Sequence, residues 1–444
     1  MPETTGHVLF GLDPLWTATA LLLMTYAAVM SERVNRAIVA MLGAGLAVTL
    51  GLLNQAQAVA GIDFNTLALL IGMMLIVAVM RRSGVFQYVA ILTAQACRAR
   101  PAAMLALLAV VTAVISAFLN NVTVILLVAP VTLVVCRELR VAPYPFLFSE
   151  VFASNIGGTA TLIGDPPNIM IGSAAHLDFM AFVRALTPII LVVLALHCLA
   201  MHALWGRSMK ATPESRARVM ALDRNAAITD RLLMRQSVLV LFAVIVAFVF
   251  EDQLGLEAGT IALFGAGILL LLDNFARSVE HQHERLVESF NEVEWITIFF
   301  FVGLFIVVAG VDRAGLLKLV ADRMIAWSGG DTRALSVAIL WVAALLSAAV
   351  DNIPFVATMI PVIRDIGPQL GDAQAVLPLW WALALGACLG GNGTLIGAAA
   401  NLTMAGIGER AGVPFRFWTY FKIAGPLTLL SIAVCNVYLL WRFF

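Results

Sequence analysis

Charged residues are scarce in this chain. Only 12% of its 444 residues are Asp, Glu, Lys or Arg, whereas a soluble domain carries about 25%. The 27 basic and 27 acidic residues cancel, so no surplus of positive charge suggests a nucleic-acid partner. Apolar residues fill the chain instead: 61% are hydrophobic, and the mean hydropathy is +0.96. This composition predicts an all-α polytopic membrane protein.

Cysteine is equally sparse. The five cysteines lie far apart, with no Cys-x-x-Cys pair and no cluster with histidine. They are expected to pack as small apolar side chains rather than to bind a metal or form disulfides. No cofactor is therefore predicted. The first apolar run also lacks a basic segment before it, so no cleavable signal peptide is expected.

Apolar segments recur along the chain in two groups. The first group lies near 14–30, 37–53, 66–80, 102–136, 146–176 and 179–205. The second lies near 237–250, 258–273, 295–311, 335–363, 378–407 and 418–441. Between the groups, residues 206–236 carry seven arginine and lysine residues and are interpreted as a cytoplasmic linker. The domains expected from this pattern are 1–205 and 237–444.

One motif occurs twice. Residues 157–168 read Gly-Gly-Thr-Ala-Thr-Leu-Ile-Gly-Asp-Pro-Pro-Asn, and residues 390–401 read Gly-Gly-Asn-Gly-Thr-Leu-Ile-Gly-Ala-Ala-Ala-Asn. The glycines and prolines interrupt a helix within an apolar segment. Interrupted backbone is tolerated at membrane depth where it lines a polar cavity. A matched pair of such interruptions predicts the binding site of a transporter built from two repeats.

The repeat extends beyond this motif. Matching residues recur at a constant separation of 231 positions: Gly72 with Gly303, Gly84 with Gly315, Pro130 with Pro361, and Asn120-Asn121 with Asp351-Asn352. The separation slips to 233 at the broken segments. So many matches in register indicate a duplicated fold.

Segments 102–136 and 335–363 are too long for one crossing of about 20 residues and too short for two. Arginines flank the first on both sides, so we expect re-entrant hairpins with the Asn-Asn and Asp-Asn pairs at their tips. Each half then makes five crossings, one of them a broken helix (146–176 and 378–407). Because five is odd, the two repeats are predicted to have inverted topology.

Basic residues predict the orientation. With the N-terminus outside, 20 of the 27 Lys and Arg residues fall in cytoplasmic segments, as the positive-inside rule requires. Both termini are therefore predicted outside, in a multi-pass protein of the cell inner (plasma) membrane. Stretches 81–100 and 312–333 are interpreted as interfacial helices whose basic side chains reach the membrane surface.

Two acidic residues fall at membrane depth, where an ionisable side chain is costly and is usually present for a function. Asp165 lies in the first broken segment and Asp351 at the second hairpin tip, and their counterparts are Ala398 and Asn120. In one interpretation each acid caps a helix end. In the preferred one they bind protons, with Asp351 as the first candidate. The two hairpin tips and the two broken segments, four motifs in all, contain no Lys or Arg. The sequence therefore predicts a site for protons, cations or neutral solutes that repels dianions.

Amides and hydroxyls dominate the rest of these segments. With two glycines they form the predicted substrate-binding set: Asn120, Asn121, Thr123, Asn155, Gly158, Thr159, Thr161, Asn168, Asn352, Gly391, Asn392, Thr394 and Asn401. Some of the polar members are expected to satisfy interrupted backbone instead of touching substrate. Two further titratable residues, Glu150 and His197, are interpreted as interfacial and as a polar helix-face residue, respectively.

At these motifs the chain resembles the ion-transporter superfamily, and within it the arsenite–antimonite permease (ArsB-type) branch. The resemblance is carried by residues 116–123, 154–168, 351–354 and 391–394. P-protein permeases, NhaD-type sodium/proton antiporters and dicarboxylate carriers are related members. The resemblance implies a scaffold of outer helices, a mobile transport domain that holds both hairpins and both broken helices, and elevator-like alternating access.

The first functional hypothesis is a secondary transporter that exports arsenite or antimonite, both neutral trihydroxy species, in exchange for protons. The second is a sodium/proton antiporter with the two aspartates as ligands, followed by a carrier of small organic anions. A membrane-embedded enzyme is disfavoured, because internal duplication and the absence of a nucleophile–base motif argue against it. The sequence leaves open whether a soluble ATPase docks on the cytoplasmic face.

Overall fold

The computed structural model describes residues 8, 11–31, 33–275, 278–371 and 373–444, and this part of the chain is helical without β-strands. Helices α1 to α11 are Pro14–Met30, Arg36–Thr49, Gln55–Ala60, Phe64–Arg82, Val85–Ala96, Pro101–Ser116, Asn121–Leu139, Tyr144–Gly158, Pro166–Ala175, Phe179–Met201 and Pro213–Met220. Helices α12 to α22 are Arg231–Val249, Glu251–Leu254, Ala258–Asn274, Val279–Asn291, Trp295–Arg313, Leu316–Ser328, Thr332–Ala349, Asn352–Leu370, Ala373–Gly390, Ala399–Arg410 and Phe417–Phe443.

Eight of the described helices are long and apolar enough to cross a membrane, namely α4, α7, α10, α12, α16, α18, α20 and α22. The shorter helices α1, α2, α5, α6 and α14 are also apolar. The all-α polytopic fold predicted from the composition is therefore confirmed.

The helices of the two halves correspond in sequence position. Helices α4 and α16 begin and end 231 positions apart, and so do α7 and α19. Gly84 and Gly315, the equivalent residues before α5 and α17, both have left-handed backbone, with φ of +80° and +85°. Any other residue would be strained there. The repeated sequence therefore encodes a repeated backbone.

The two broken helices run in opposite directions. In the first half α8 ends at Gly158 and α9 begins at Pro166, and in the second α20 ends at Gly390 and α21 begins at Ala399. Helix α8 packs along α21, and α9 packs along α20. This pairing is that of two antiparallel elements that cross at their breaks. The predicted inverted repeat is therefore confirmed.

Each half completes the packing of the other. Helix α4 of the first half packs against α14, and the equivalent α16 packs against α2. At both contacts a glycine lies against the backbone of the partner helix: Gly72 against Ala262, and Gly303 against Ala40. Likewise α7 packs on α21, and α19 packs on α9. The core around the breaks is thus shared by the two halves.

The two segments expected to be hairpins fold as helix pairs with longer arms than their apolar runs. Helices α6 and α7 cover 101–139, and α18 and α19 cover 332–370. Polar residues continue the helix past the apolar segment, as Arg137 does in the last turn of α7, where a basic side chain is favourable.

The segment interpreted as a linker is attached to the first half. It contains α11 and a 3₁₀ turn at Arg224–Ala227, and α12 begins at Arg231 rather than at 237. Arg216 donates to the carbonyl of Arg98 at 3.0 Å, and Gln95 donates to that of Leu222 at 2.8 Å. These bonds tie the segment to α5 and the turn after it.

Candidate functional site

The two breaks meet at a cluster of asparagines. Asn155, in the last turn of α8, donates to Oδ1 of Asn392 at 2.8 Å and to Oδ1 of Asn401 at 3.0 Å, both in the other half. Its own Oδ1 accepts from Nδ2 of Asn121, at the first hairpin tip, at 3.1 Å. All four side chains are buried. The structure therefore brings predicted site residues from both halves into one network.

An asparagine closes each break. Nδ2 of Asn168 donates to the carbonyl of Thr161 at 2.9 Å, and Nδ2 of Asn401 donates to that of Thr394 at 2.8 Å. These carbonyls have lost their helical partners, and lipid cannot replace them. The amide nitrogens of Asn168 and Asn401 thus serve the backbone, while their oxygens face the opposite half.

One equivalent pair differs in chemistry. Cys388 corresponds to Asn155, 233 positions earlier. Its Sγ donates to Oδ1 of Asn168 at 3.4 Å, just as Asn155 donates to Asn401. Cys388 is buried and belongs to the cluster. Sequence reasoning missed it because all cysteines were treated as packing residues, although the repeat register already aligned it with Asn155.

Asp165 is the buried acid of the cluster, with only 2% of its surface exposed. Its Oδ1 accepts from Asn121 at 3.3 Å, while Oδ2 has no hydrogen-bond partner among the described residues. Asn352, from the second hairpin tip, and Cys388 also lie beside this carboxyl. The interpretation of Asp165 as a helix cap is wrong, because its carboxylate accepts no backbone N–H of α9, whose first two residues are prolines without an N–H.

Asp351 is placed differently. Its Oδ1 accepts from the backbone N–H of Ile353, so it does cap α19. Its Oδ2 forms an ion pair with Nη1 of Arg36 at 2.5 Å. The Arg36 guanidinium also lies over the Phe300 ring, 5.2 Å from the centroid. The motifs themselves contain no Lys or Arg, as the sequence shows, but α2, which lies outside them, brings the Arg36 guanidinium to Asp351.

In each half, one predicted threonine joins the break to the turn of the neighbouring hairpin. Thr161 donates its hydroxyl to the carbonyl of Ala117, and Thr394 donates to that of Ala348 at 2.5 Å. Both bonds satisfy backbone carbonyls near the end of a helix. Their role here is architectural.

Three other predicted residues lie at helix ends. Asn120 caps α7 by accepting from the N–H of Val122 at 2.9 Å. Thr159 donates its hydroxyl to the carbonyl of Asn155 at 2.7 Å. Thr123 lies half-buried in the first turn of α7. None of these contacts by itself forms part of the asparagine network.

The two predicted glycines allow each break to fold back on itself. A Cβ atom on Gly158 would lie 2.8 Å from the carbonyl oxygen of Gly164, and one on Gly391 would lie 2.8 Å from that of Gly397. Such contacts are too close for any side chain. These positions are therefore required by the backbone.

Two cavities approach the breaks. One, of about 380 Å³, is lined by Arg36 and Asp351 and reaches the second break at Ala399. The other, of about 480 Å³, reaches the first break at Leu162 and is lined by five acids: Asp63, Asp178, Glu251, Asp252 and Glu257. The first cavity lies at the start of α2 and the second at the start of α4, so a membrane-crossing α2 would separate them.

Two titratable residues are more buried than expected. Glu150 is 0% exposed, and its Oε1 accepts from the Thr132 hydroxyl at 2.5 Å. His197 is also buried, with Nε2 3.0 Å from Oγ of Ser149 and its ring stacked on Phe152. His197 lies on a helix face, as interpreted, but both side chains are enclosed by protein, which the sequence analysis did not predict. Helix α8 is enclosed by α6, α7, α10, α20 and α21, which the pattern of one segment does not reveal.

Two antiparallel broken helices that share a buried polar cluster define a membrane transporter built from inverted repeats. The sequence pattern of the CitMHS family, described as citrate transporters, matches residues 26–386. This chain belongs to that family.

Three related proteins support the assignment. An uncharacterised transporter of Mycobacterium tuberculosis is 41% identical over 431 residues, which cover 96% of this chain and 98% of the relative. A 46 kDa membrane protein of Mycobacterium leprae is 40% identical over 430 residues, with the same coverage. The human P protein is 35% identical over 504 residues, covering 95% of this chain and 59% of that protein. The predicted kinship with P-protein permeases is confirmed.

The fold has a counterpart among solved structures. The YdaH transporter of Alcanivorax borkumensis, described as having an unusual topology, superimposes with a TM-score of 0.60 over 97% of this chain and 98% of that chain. The two sequences are 14% identical, so the likeness concerns the fold alone. The family match, the related transporters and the apolar helices make the chain a multi-pass membrane transporter, and its place in the arsenite–antimonite branch stays a prediction.

Proposed function

We propose that this protein is a proton-coupled secondary transporter in which Asp165 carries the coupling proton. The observation that supports this is the burial of Asp165, with one oxygen lacking a hydrogen-bond partner among the described residues. An ionised carboxylate in that position is costly unless a proton, cation or substrate neutralises it. Asp351 is less suited to the task, because Arg36 already compensates its charge.

The two cavities give the proton an entry and an exit. With both termini outside, as the basic residues predict, the cavity at Arg36 opens to the cytoplasm and the acidic cavity opens outside. Five carboxylates around the outer cavity would raise the local proton concentration. One proton moving inward down 100 mV supplies about 2.3 kcal/mol, which corresponds to a roughly 50-fold gradient of a neutral solute.

Arsenite and antimonite, exported in exchange for protons, are the first candidate substrates. Six buried asparagines surround the breaks: Asn121, Asn155, Asn168, Asn352, Asn392 and Asn401. Amides both donate and accept hydrogen bonds, so they suit the hydroxyl groups of neutral solutes. Binding would replace some of the bonds that now join the two halves. Elevator-like movement of the hairpins and broken helices would then carry the solute between the two cavities.

A carboxylate such as citrate is the second candidate. Two observations favour it: Arg36 lines a cavity at the second hairpin tip, and the matching family is described as citrate transporters. An arginine binds a carboxylate with two parallel hydrogen bonds. The substrate would have to displace Asp351 from the guanidinium.

Transport by purified protein in proteoliposomes, with a pH-sensitive dye inside, tests both candidates. Arsenite, antimonite, sodium, citrate and succinate are added separately. We expect arsenite and antimonite to move protons in the wild type but not in Asp165→Asn. Proton movement with citrate that Arg36→Gln abolishes would favour the second candidate, and movement with sodium alone would favour a cation antiporter. If none of the five moves protons, the proposal is wrong.

A further inference from the structure

We infer that Glu150 is a second proton-binding site of this transporter, on a route between Asp165 and the membrane face where α8 begins. This inference deepens the proposed function, in which Asp165 carries the coupling proton. Nothing in the motifs pointed to Glu150.

Polar groups connect Glu150 to the asparagine cluster along one side of α8. Ser154 lies four residues after Glu150, so the two side chains are neighbours on the helix surface. Oγ of Ser154 donates to the carbonyl of Asn121 at 3.1 Å, and the side chain of Asn121 donates to Asp165 at 3.3 Å. The Ser154 hydroxyl and the Asn121 amide therefore lie between Glu150 and Asp165. Because the Ser154 bond ends at a backbone carbonyl, which only accepts, a proton would need internal water to pass between the two acids.

The route continues towards the start of α8. The hydroxyl oxygens of Tyr144 and Tyr420 are buried and have no hydrogen-bond partner in the described ranges, and neither has Oε2 of Glu150. Phe148 packs against both tyrosines, with ring centroids 6.2 and 5.1 Å away. Buried polar groups of this kind are commonly satisfied by internal water. A few water molecules would connect the carboxyl to the aromatic layer at the helix start.

Few ionisable groups surround Glu150. Helix α6 has none, and those on the other helices packed around α8 are Cys136, Arg137 and Glu138 on α7, Arg184, His197 and Cys198 on α10, Cys388 on α20, and Glu409 and Arg410 on α21. Cys136 lies beside the carboxyl, and Thr132 donates to it. No cation bonds to the carboxyl within the described part of the chain. Its charge can therefore change without breaking an ion pair.

The fold does not require an acid at this position. The equivalent residue in the second half is Leu383, which is also buried. A carboxyl held by a single hydroxyl contributes little to packing, and an ionised one would be costly. Its presence in only one half, the half that also holds Asp165, is explained by proton transfer.

The test uses the full chain and does not depend on knowing the substrate. Infrared difference spectra between acid and alkaline pH report which buried carboxyls bind protons. The wild type is expected to show two such groups, one lost in Glu150→Gln and the other in Asp165→Asn. Glu150→Gln keeps an oxygen for Thr132, and Glu150→Leu copies the second half if the first variant does not fold. Glu150→Asp should restore a titrating group.

Transport with arsenite as the probe gives the second measurement. Glu150→Gln should slow proton-coupled flux by about tenfold or more, while arsenite exchange between equal pools stays within twofold of the wild type. A spectrum of Glu150→Gln identical to that of the wild type would overturn the inference, and so would parallel loss of exchange and coupled flux. Loss of the Glu150 band with no effect of Asp165→Asn would instead refute the proposed function and retain this site.

Discussion

The two halves of the molecule share a backbone but differ in their electrostatics. Asp165 and its counterpart Ala398 have nearly the same extended conformation, with φ of −142° and −148°. Asn168 and Asn401 close the two breaks in the same way. Yet the acid of the first half is buried at the centre, and Asp351, the acid of the second half, lines a cavity and pairs with Arg36. Duplication thus preserved the framework and left the charges free to diverge.

The second hairpin tip is also bonded to α1 and α2. Arg36 bonds Asp351, and the hydroxyl of Tyr26 donates to the carbonyl of Pro354 at 2.5 Å. Both contacts come from α1 and α2. Arg36 lies four residues before Ala40, which contacts Gly303, and Ala258 lies four residues before Ala262, which contacts Gly72, so Ala258 is the counterpart of Arg36. At the first tip the corresponding residues, Asn120 and Ala258, carry no charge. The acid at the second tip therefore serves attachment, while the acid in the first break is available for coupling.

The largest expected effect separates the two acids. Asp165→Asn should reduce uphill, proton-driven transport by about 100-fold or more, because the amide cannot carry a proton but can still accept from Asn121. Asp351→Asn should leave coupling in place. Solute accumulation in proteoliposomes under an imposed pH gradient measures both. If Asp351→Asn loses proton-driven accumulation while Asp165→Asn keeps it, Asp351 rather than Asp165 carries the coupling proton.

The next effect concerns the contact between the halves. Asn155→Ala removes three side-chain hydrogen bonds and leaves buried amides unsatisfied, so it should lower the unfolding free energy by about 2–4 kcal/mol. Cys388→Ala, at the equivalent position, should cost less, because a thiol is a weak donor. Thermal unfolding in detergent compares the two. Equal losses of unfolding free energy in the two variants would show that Asn155 and Cys388 contribute equally to the contact between the halves.

A smaller effect is expected from the ion pair at the second tip. The Arg36 and Asp351 side chains are 25% and 16% exposed, so a double-mutant cycle with Arg36→Gln and Asp351→Asn should give a coupling energy of about 1 kcal/mol. Arg81 and Glu292, an exposed pair, provide the matched control and should give less. Strictly additive losses at Arg36 and Asp351 would mean that the pair does not hold the tip.

The smallest effect is expected when the first tip is made to resemble the second. Asn120→Asp keeps an acceptor for the cap of α7 and meets no cation at Ala258, so stability should change by less than about 0.5 kcal/mol. Adding Ala258→Arg should stabilise the acid at the tip if the geometry of the second half can be copied. Unfolding temperatures of the single and double variants decide this. A large loss in Asn120→Asp alone would show that the two tips are not interchangeable.

Much of the fold follows from local chemistry. Glycine and proline at the breaks interrupt a helix wherever they occur in an apolar segment, so the sequence located both broken helices and their register. It also identified the asparagines that meet at the centre, since polar groups at membrane depth have few alternative roles. Helix ends were less predictable, because polar residues extend the hairpin arms past the apolar runs.

The sequence by itself determined the membrane class, the duplication and the positions of the breaks, because each depends on residues close together in the chain or on a constant spacing. Only the tertiary structure decided which side chains meet. Arg36 and Asp351 are 315 residues apart, and Asn155 and Asn392 are 237 apart. Contacts over such separations depend on how α2, α8 and the hairpins pack. Burial also depends on tertiary packing. From its own segment Glu150 was interpreted as interfacial, and only the five helices packed around α8 show that its side chain is fully enclosed.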